Sequence, residues 1–185
     1  MSRLARSRAR VALGLAAAAL ATVAAAVPIA TAQGTGDDPL QQVRDATRGY
    51  RNVDRAIDAG YVQSLGCVHE PLAGSMGIHF VNGTLVGDSA IDSTQPEALM
   101  YEAGPNGRLS LAGAEYIVFQ EAWDAEHDEA PSLFGQTFML VPSPNRFGIP
   151  AFYELHVWAS EANPSGPFND WNPKVLCLDT EGHQP

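Results

Sequence analysis

The texture of the chain changes at residue 66, and that change constrains the fold more than any other feature. Before it, Leu40, Val43, Ala46, Tyr50, Val53 and Ile57 recur at intervals of three or four, with arginines and aspartates on the opposite side. This is the period of an amphipathic helix. After residue 66, short apolar or alternating runs are separated by Gly, Pro and Asn, the pattern of an antiparallel sheet. Helical periodicity first and strand periodicity afterwards imply an α+β chain: an N-terminal helix or helix pair, then a mostly antiparallel sheet or small open barrel.

Local signals sharpen this reading. Asp37-Asp38-Pro39 offers a capping carboxylate followed by proline at the first helical position, so a helix is predicted to begin there. Gly60 is a candidate C-cap, and Gly49 and Asn52 weaken the middle enough for two shorter helices sharing one face. Strands are predicted over Met76 to Val81, Ala98 to Glu102, Leu109 to Phe119, Thr137 to Val141 and Phe152 to Ala159. Pro105-Asn106-Gly107 turns the second of these into the third as a hairpin. Glu121 to Pro131 carries Glu121, Asp124, Glu126, Asp128 and Glu129 and reads as an acidic surface loop. It lacks the glycine and terminal glutamate of an EF-hand calcium loop. The proline-rich stretch Asn163 to Pro173, with Phe168 and Trp171, is expected to wrap the sheet.

Residues 1–32 place Arg3, Arg6, Arg8 and Arg10 before an apolar run from Val11 to Val27 and then Ala30-Thr31-Ala32, the three-part pattern of a cleavable signal peptide. Pro28 interrupts the run and no basic flank follows it, which argues against a membrane anchor. No arginines are adjacent and no cysteine follows the run, so twin-arginine export and lipid attachment are not indicated. The expected organisation is a signal peptide (1–32), a flexible leader (33–38), one secreted or periplasmic α+β domain (39–178) and a disordered tail (179–185), with no membrane association after cleavage. Four of the 11 basic residues lie in the signal segment, so 7 basic face 21 acidic ones in the remainder, a net charge of −14. Nucleic acid and anionic membranes are therefore disfavoured partners. Nothing in the sequence sets an oligomeric state.

Cys67 and Cys177 are the only cysteines. In an oxidising compartment they form a disulfide, whose loop of about 110 residues is worth roughly 4 to 5 kcal/mol in the chain-entropy account. No C-x-x-C supports a thiolate metal site.

Most catalytic signatures are missing. Gly74-Ser75-Met76-Gly77 has the wrong spacing for a nucleophile elbow, no phosphate or dinucleotide glycine loop occurs, and His69-Glu70 lacks the second histidine of a zincin helix. What remains is strand parity. Gly77, His79 and Val81 share one face of their strand, and Glu154, His156 and Trp158 share one face of theirs. Glu115 stands inside the otherwise apolar Ala114 to Phe119, and His69 lies two residues past Cys67. A carboxylate in such a strand is costly to bury without a cation or a hydrogen-bond partner. His69, His79, Glu115, Glu154 and His156 thus form a candidate ligand set for Zn²⁺, Cu²⁺, Fe²⁺ or Mn²⁺. Each histidine also has a plainer role as a hydrogen-bonded core residue, and Glu115 and Glu154 can pair with Arg108, Arg146 or a histidine. His127 and His183 are expected to be solvated.

Met76-Gly77-Ile78-His79, Glu115-Tyr116, Glu154-Leu155-His156-Val157-Trp158, Asn163-Pro164-Ser165-Gly166, Trp171-Asn172-Pro173 and Cys177 together resemble a family of secreted bacterial proteins. That family shows M-G-x-H, E-Y, an E/D-x-H strand, N-P-x-G, then W-N-P and a cysteine. The resemblance spans residues 40 to 177. It implies an exported domain and marks His79 and His156, but supplies no reaction. The pattern is also loosely similar to cupins, although the cupin H-x-H is missing. Three functions are compatible with this sequence: a domain that carries, buffers or senses a divalent metal ion, a metalloenzyme using Glu154 or Glu70 as general base, and a metal-free module that binds a small ligand or partner through Trp123, Trp158 and Trp171.

Overall fold

The computed structural model describes residues 38–177. The residues expected to form the signal peptide and leader, up to Asp37, and the tail from residue 178 lie outside the described residues.

Helix α1 (Pro39–Thr47) begins where the Asp38 carboxylate accepts the Leu40 amide at 3.1 Å, with Pro39 at the first helical position. The helix tightens into a 3-10 turn over Arg48–Arg51, and α2 (Val53–Asp58) restarts under an Asn52 cap. The chain then leaves through Gly60 in the left-handed region (φ +94), where glycine carries no steric penalty. The helix pair is thus real, and the break falls between the two weak helix formers, Gly49 and Asn52.

The rest is strand-rich: β1 (Val62–Glu70), β2 (Gly74–Val81), the short helix α3 (Gly83–Val86), β3 (Ala98–Ala103), β4 (Leu109–Phe119), the short helix α4 (Gln120–Asp124), β5 (Ser132–Leu133), β6 (Gln136–Thr137), β7 (Met139–Val141) and β8 (Phe152–Val157). Six strands form one sheet in the order β1-β2-β3-β4-β8-β7, every neighbouring pair antiparallel. β5 and β6 form a separate hairpin. The turn at Pro105-Asn106-Gly107 closes the β3–β4 hairpin, with Ala103 opposite Leu109.

Three details differ from the sequence pattern. β1 was not anticipated: its pairing with β2 shifts register three times between Gln63 and His69, and such bulges erase the period-two signal. Thr137 to Val141 is not one strand, because buried Phe138 turns into the core and separates β6 from β7. The acidic segment is not all loop, since its start is the single helical turn α4.

Strand alternation gives the sheet two unlike faces. On one, Tyr116, Val118, Leu155 and Val157 pack with Val43 of α1, and Phe80, Leu99 and Tyr101 pack with Ala56 and Tyr61. Each such side chain contributes roughly 1.5 to 3 kcal/mol by leaving water. The start of β3 places a carboxylate beside this face: Glu97, 2% exposed, accepts the Ile117 amide at 3.0 Å where the β3–β4 ladder has ended. Burial pushes this carboxyl up to about 7, against the opposing pull of that hydrogen bond. The other face lines a cavity reached by residues from β1 at one edge through β8, so the sheet curls around it.

The last segment is tied down on the β2 side. Ser75 and Asn172 exchange both backbone hydrogen bonds at 3.1 Å, and Cys67 is disulfide-bonded to Cys177 across 110 residues, with Cα atoms 5.4 Å apart. Such a bond indicates an oxidising environment. Among the described residues no helix is long and apolar enough to cross a membrane.

Candidate metal centre

The cavity face of the sheet brings His79, Glu115 and His156 together from three strands. On β4 and β8, Glu115 and His156 are direct cross-strand partners. His79 reaches them from β2, across the intervening β3. Its own row holds Met100 and then Gly113, while Glu115 stands in the next row, opposite Ala98. Small residues make this diagonal possible. A side chain at Gly113 would strike the Met100 methyl and the Val157 carbonyl, each 2.6 Å from its Cβ position. Ala98 offers no bulk between His79 and Glu115. Gly77, two residues before His79, has φ +86, and a Cβ there would meet the Tyr101 carbonyl at 2.7 Å. Only glycine fits that bend.

The Glu115 carboxylate lies between the two imidazoles. Its Oε2 is 3.4 Å from His79 Nε2 and its Oε1 is 3.8 Å from His156 Nε2. One ligand atom from each of the three residues lies within 4.8 Å of the other two. Ligands about 2.1 Å from a tetrahedral ion sit about 3.4 Å apart, so the observed separations need only small inward adjustments. The rings stand perpendicular, with centroids 6.0 Å apart, and therefore aim at the carboxylate rather than stack.

Two further carboxylates complete the surroundings. Glu154, two residues before His156 on β8, hydrogen-bonds Glu115 side chain to side chain. Asp170, from the tail, lies 3.4 Å from His156 Nδ1, behind the nitrogen that faces Glu115. Glu154, His156 and Asp170 also offer atoms mutually within 4.8 Å. A carboxylate behind a ligating histidine fixes the ring's tautomer and orientation, and Asp170 occupies that place.

Electrostatics separates the groups. Burial pulls His79 down to about 3, with the neighbouring His156 adding to the effect, so it is neutral at ordinary pH. Burial also pulls His156 down, but Glu115, Asp170 and Glu154 together outweigh it and hold the ring up at about 9. Glu115 is raised well above the carboxylate range, first by burial and then by repulsion from Glu154 and the hydrogen bond to it, against the pull of His156. Glu154 is raised by burial as well. The two carboxyls are both raised and titrate as a pair.

Hydrogen bonding is incomplete. His79 Nδ1, with only the Gly77 carbonyl near it, has no well-formed partner, and neither ring nitrogen of His156 has one. Buried polar atoms are almost always satisfied. His79 Nε2 and His156 Nε2 converge on the two oxygens of one buried carboxylate, and His156 Nε2 makes no hydrogen bond there; two imidazole nitrogens and a carboxylate form a donor set that suits a borderline divalent cation.

The structure thus assembles four of the five sequence candidates, namely His79, Glu115, Glu154 and His156. His69 stands apart from them, its Nδ1 3.2 Å from Ser75 Oγ on the facing strand. His127 is exposed and stacked on Trp123, and His183 lies outside the described residues. Asp170 was missed. No pattern in Asn169-Asp170-Trp171 marks it, because its position depends on how the tail folds back. Compared with known protein families, curated proteins and solved structures, the chain finds no match.

Proposed function

We propose that this chain is a domain of an oxidising, extracytoplasmic compartment that binds one divalent metal ion through His79, Glu115 and His156, and thereby carries, buffers or senses it. Glu154 stands by as a fourth donor, and Asp170 orients His156. The observation that supports this is the convergence of His79 Nε2 and His156 Nε2 on the two oxygens of the buried Glu115 carboxylate, with His156 Nε2 making no hydrogen bond there. A purely structural ion-pair network would use His156 Nε2 in a hydrogen bond. Zn²⁺ suits the mixed nitrogen and oxygen donors, as do Cu²⁺, Fe²⁺ and Mn²⁺. His79 and His156 are also the histidines of the M-G-x-H and E-x-H segments through which the chain resembles the secreted bacterial family.

The test is metal analysis of protein purified without an affinity tag, before and after reloading with each ion. One equivalent retained through dialysis is expected. A content well below one equivalent after reloading with all four would sink the proposal.

A second reading, a metalloenzyme, has one observation in its favour: the cavity runs up to His79, Glu115 and Glu154, which leaves a coordination position accessible from one side. An open position is what a catalytic ion needs, and the Glu154 carboxyl is placed to act as general base.

A further inference from the structure

The cavity on the curled face has a volume of about 370 Å³, at the lower end of small-molecule sites. Its contents are set by an uneven lining. Val86, Ile117, Phe119, Phe147, Ile149 and Phe152 supply apolar walls, whereas the polar atoms of His79, Glu115 and Glu154 lie together. Those three residues are almost fully buried, with exposures of 3 to 4%, while Ile149 is 39% exposed and Ser64 and Gly87 are open to solvent. The cavity therefore runs from an accessible apolar mouth to a buried polar floor, and that floor is the candidate metal centre.

We infer that the cavity binds an apolar organic molecule carrying a single oxygen donor, its apolar body against the Ile117, Phe119 and Phe152 wall and its oxygen on the metal ion held at the floor. This rests on the metal-binding reading above. Water occupies about 30 Å³ per molecule, so the space holds about a dozen non-hydrogen atoms. A fully hydrophilic ligand such as a sugar would leave its hydroxyls without partners along the phenylalanine and isoleucine walls, which favours a molecule polar at one end only. The bound ion offsets the carboxylates of the floor, so both a neutral alcohol and a monoanionic carboxylate remain admissible.

The experiment uses tag-free protein loaded with Co²⁺, whose visible absorption reports its ligands, and titrates it with butan-1-ol, hexan-1-ol, octan-1-ol and octanoate while metal content is measured separately. The expected result is a perturbed Co²⁺ spectrum and an affinity that rises roughly three- to fourfold for each CH₂ added. Octan-1-ol and octanoate tell whether the neutral or the anionic head is preferred. Ile149→Trp, at the exposed mouth, and Ile117→Trp, in the wall, should each weaken octan-1-ol binding at least tenfold while retaining one equivalent of Co²⁺. The mouth variant keeps the test alive should the wall variant fail to fold. Full metal content with no chain-length dependence overturns the inference and leaves the metal reading intact. Chain-length dependence without a spectral change for either head places the oxygen elsewhere and also overturns it, as does unaltered octan-1-ol affinity in the variant that folds. Loss of metal binding itself removes both readings, and metal content alone reveals that case.

Discussion

The two faces of the sheet are built from the same strands, yet they obey different rules. Alternation sends Tyr116 and Leu155 to the helix-covered face and Glu115 and His156 to the cavity face. On the helix face the few polar atoms are satisfied: the Tyr61, Tyr101 and Tyr116 hydroxyls each donate to a backbone carbonyl at 2.6 to 2.7 Å. On the cavity face, buried imidazole nitrogens go without. Natural proteins concentrate such violations at functional sites, so the first face is assigned to stability and the second to the proposed metal centre.

The sharpest way to break this comparison is to remove charge from the cavity face without changing its shape. Glu115→Gln copies the protonated carboxyl, so metal affinity should fall by about a thousandfold or more, roughly 4 kcal/mol, while metal-free stability changes by less than about 1 kcal/mol. Equilibrium dialysis and urea unfolding read the two effects. A variant that binds metal normally, or that unfolds outright, would contradict the division of labour. The complementary change is Leu155→Ala on the helix face, where loss of a core side chain should cost about 2 to 5 kcal/mol. Its metal stoichiometry should remain at one equivalent, and a loss of metal at full stability would show that the faces are not independent.

A third change uses pH and concerns Glu97. Its carboxyl is raised from the usual 4.5 to about 7 in the folded chain. The native state then keeps a proton that the unfolded chain has already released. Its contribution to stability is fully present below about pH 4.5 and is lost as the pH climbs through about 7, a change on the order of 3 kcal/mol. Glu97→Gln, whose amide oxygen still accepts the Ile117 amide, should flatten that part of the stability–pH curve. Parallel curves for the two proteins would refute the assignment. The smallest effect is reserved for Asp170→Asn, which keeps the shape behind His156 but weakens its orienting charge. Metal affinity should drop about tenfold, with little change in melting temperature, and an unchanged affinity would remove Asp170 from the site.

Much of this was legible in the sequence because it depends on neighbours along the chain. The Asp38 cap, the helix break near Asn52, the 109–119 strand and the shared face of Glu154 and His156 follow from local spacing alone. Elements set by distant partners were not legible. β1 is held by a bulged pairing with β2 that scrambles alternation, and Phe138 splits a strand only because the core needs its ring. Parity told which neighbours share a face with His79 and with His156, but not that β3 would place Ala98 between the strands of His79 and Glu115. Glu97 and Asp170 belong to the same class, since one replaces a ladder partner past the end of β3 and the other arrives from the tail.

The tail closure has a consequence in time. Asp170 stands behind His156 in a segment held by the Ser75–Asn172 pairing and the Cys67–Cys177 bond, so the centre draws on a stretch that leaves the ribosome after every strand of the sheet. A nascent chain, or one whose thiols are still reduced, has its histidines on strands but lacks the anchored carboxylate that orients one of them. Because metal binding is linked to the folding of its site, the proposed centre would bind its ion tightly only after covalent closure. Oxidation first and loading second is an order of assembly that discourages half-made molecules from trapping an ion in the wrong geometry.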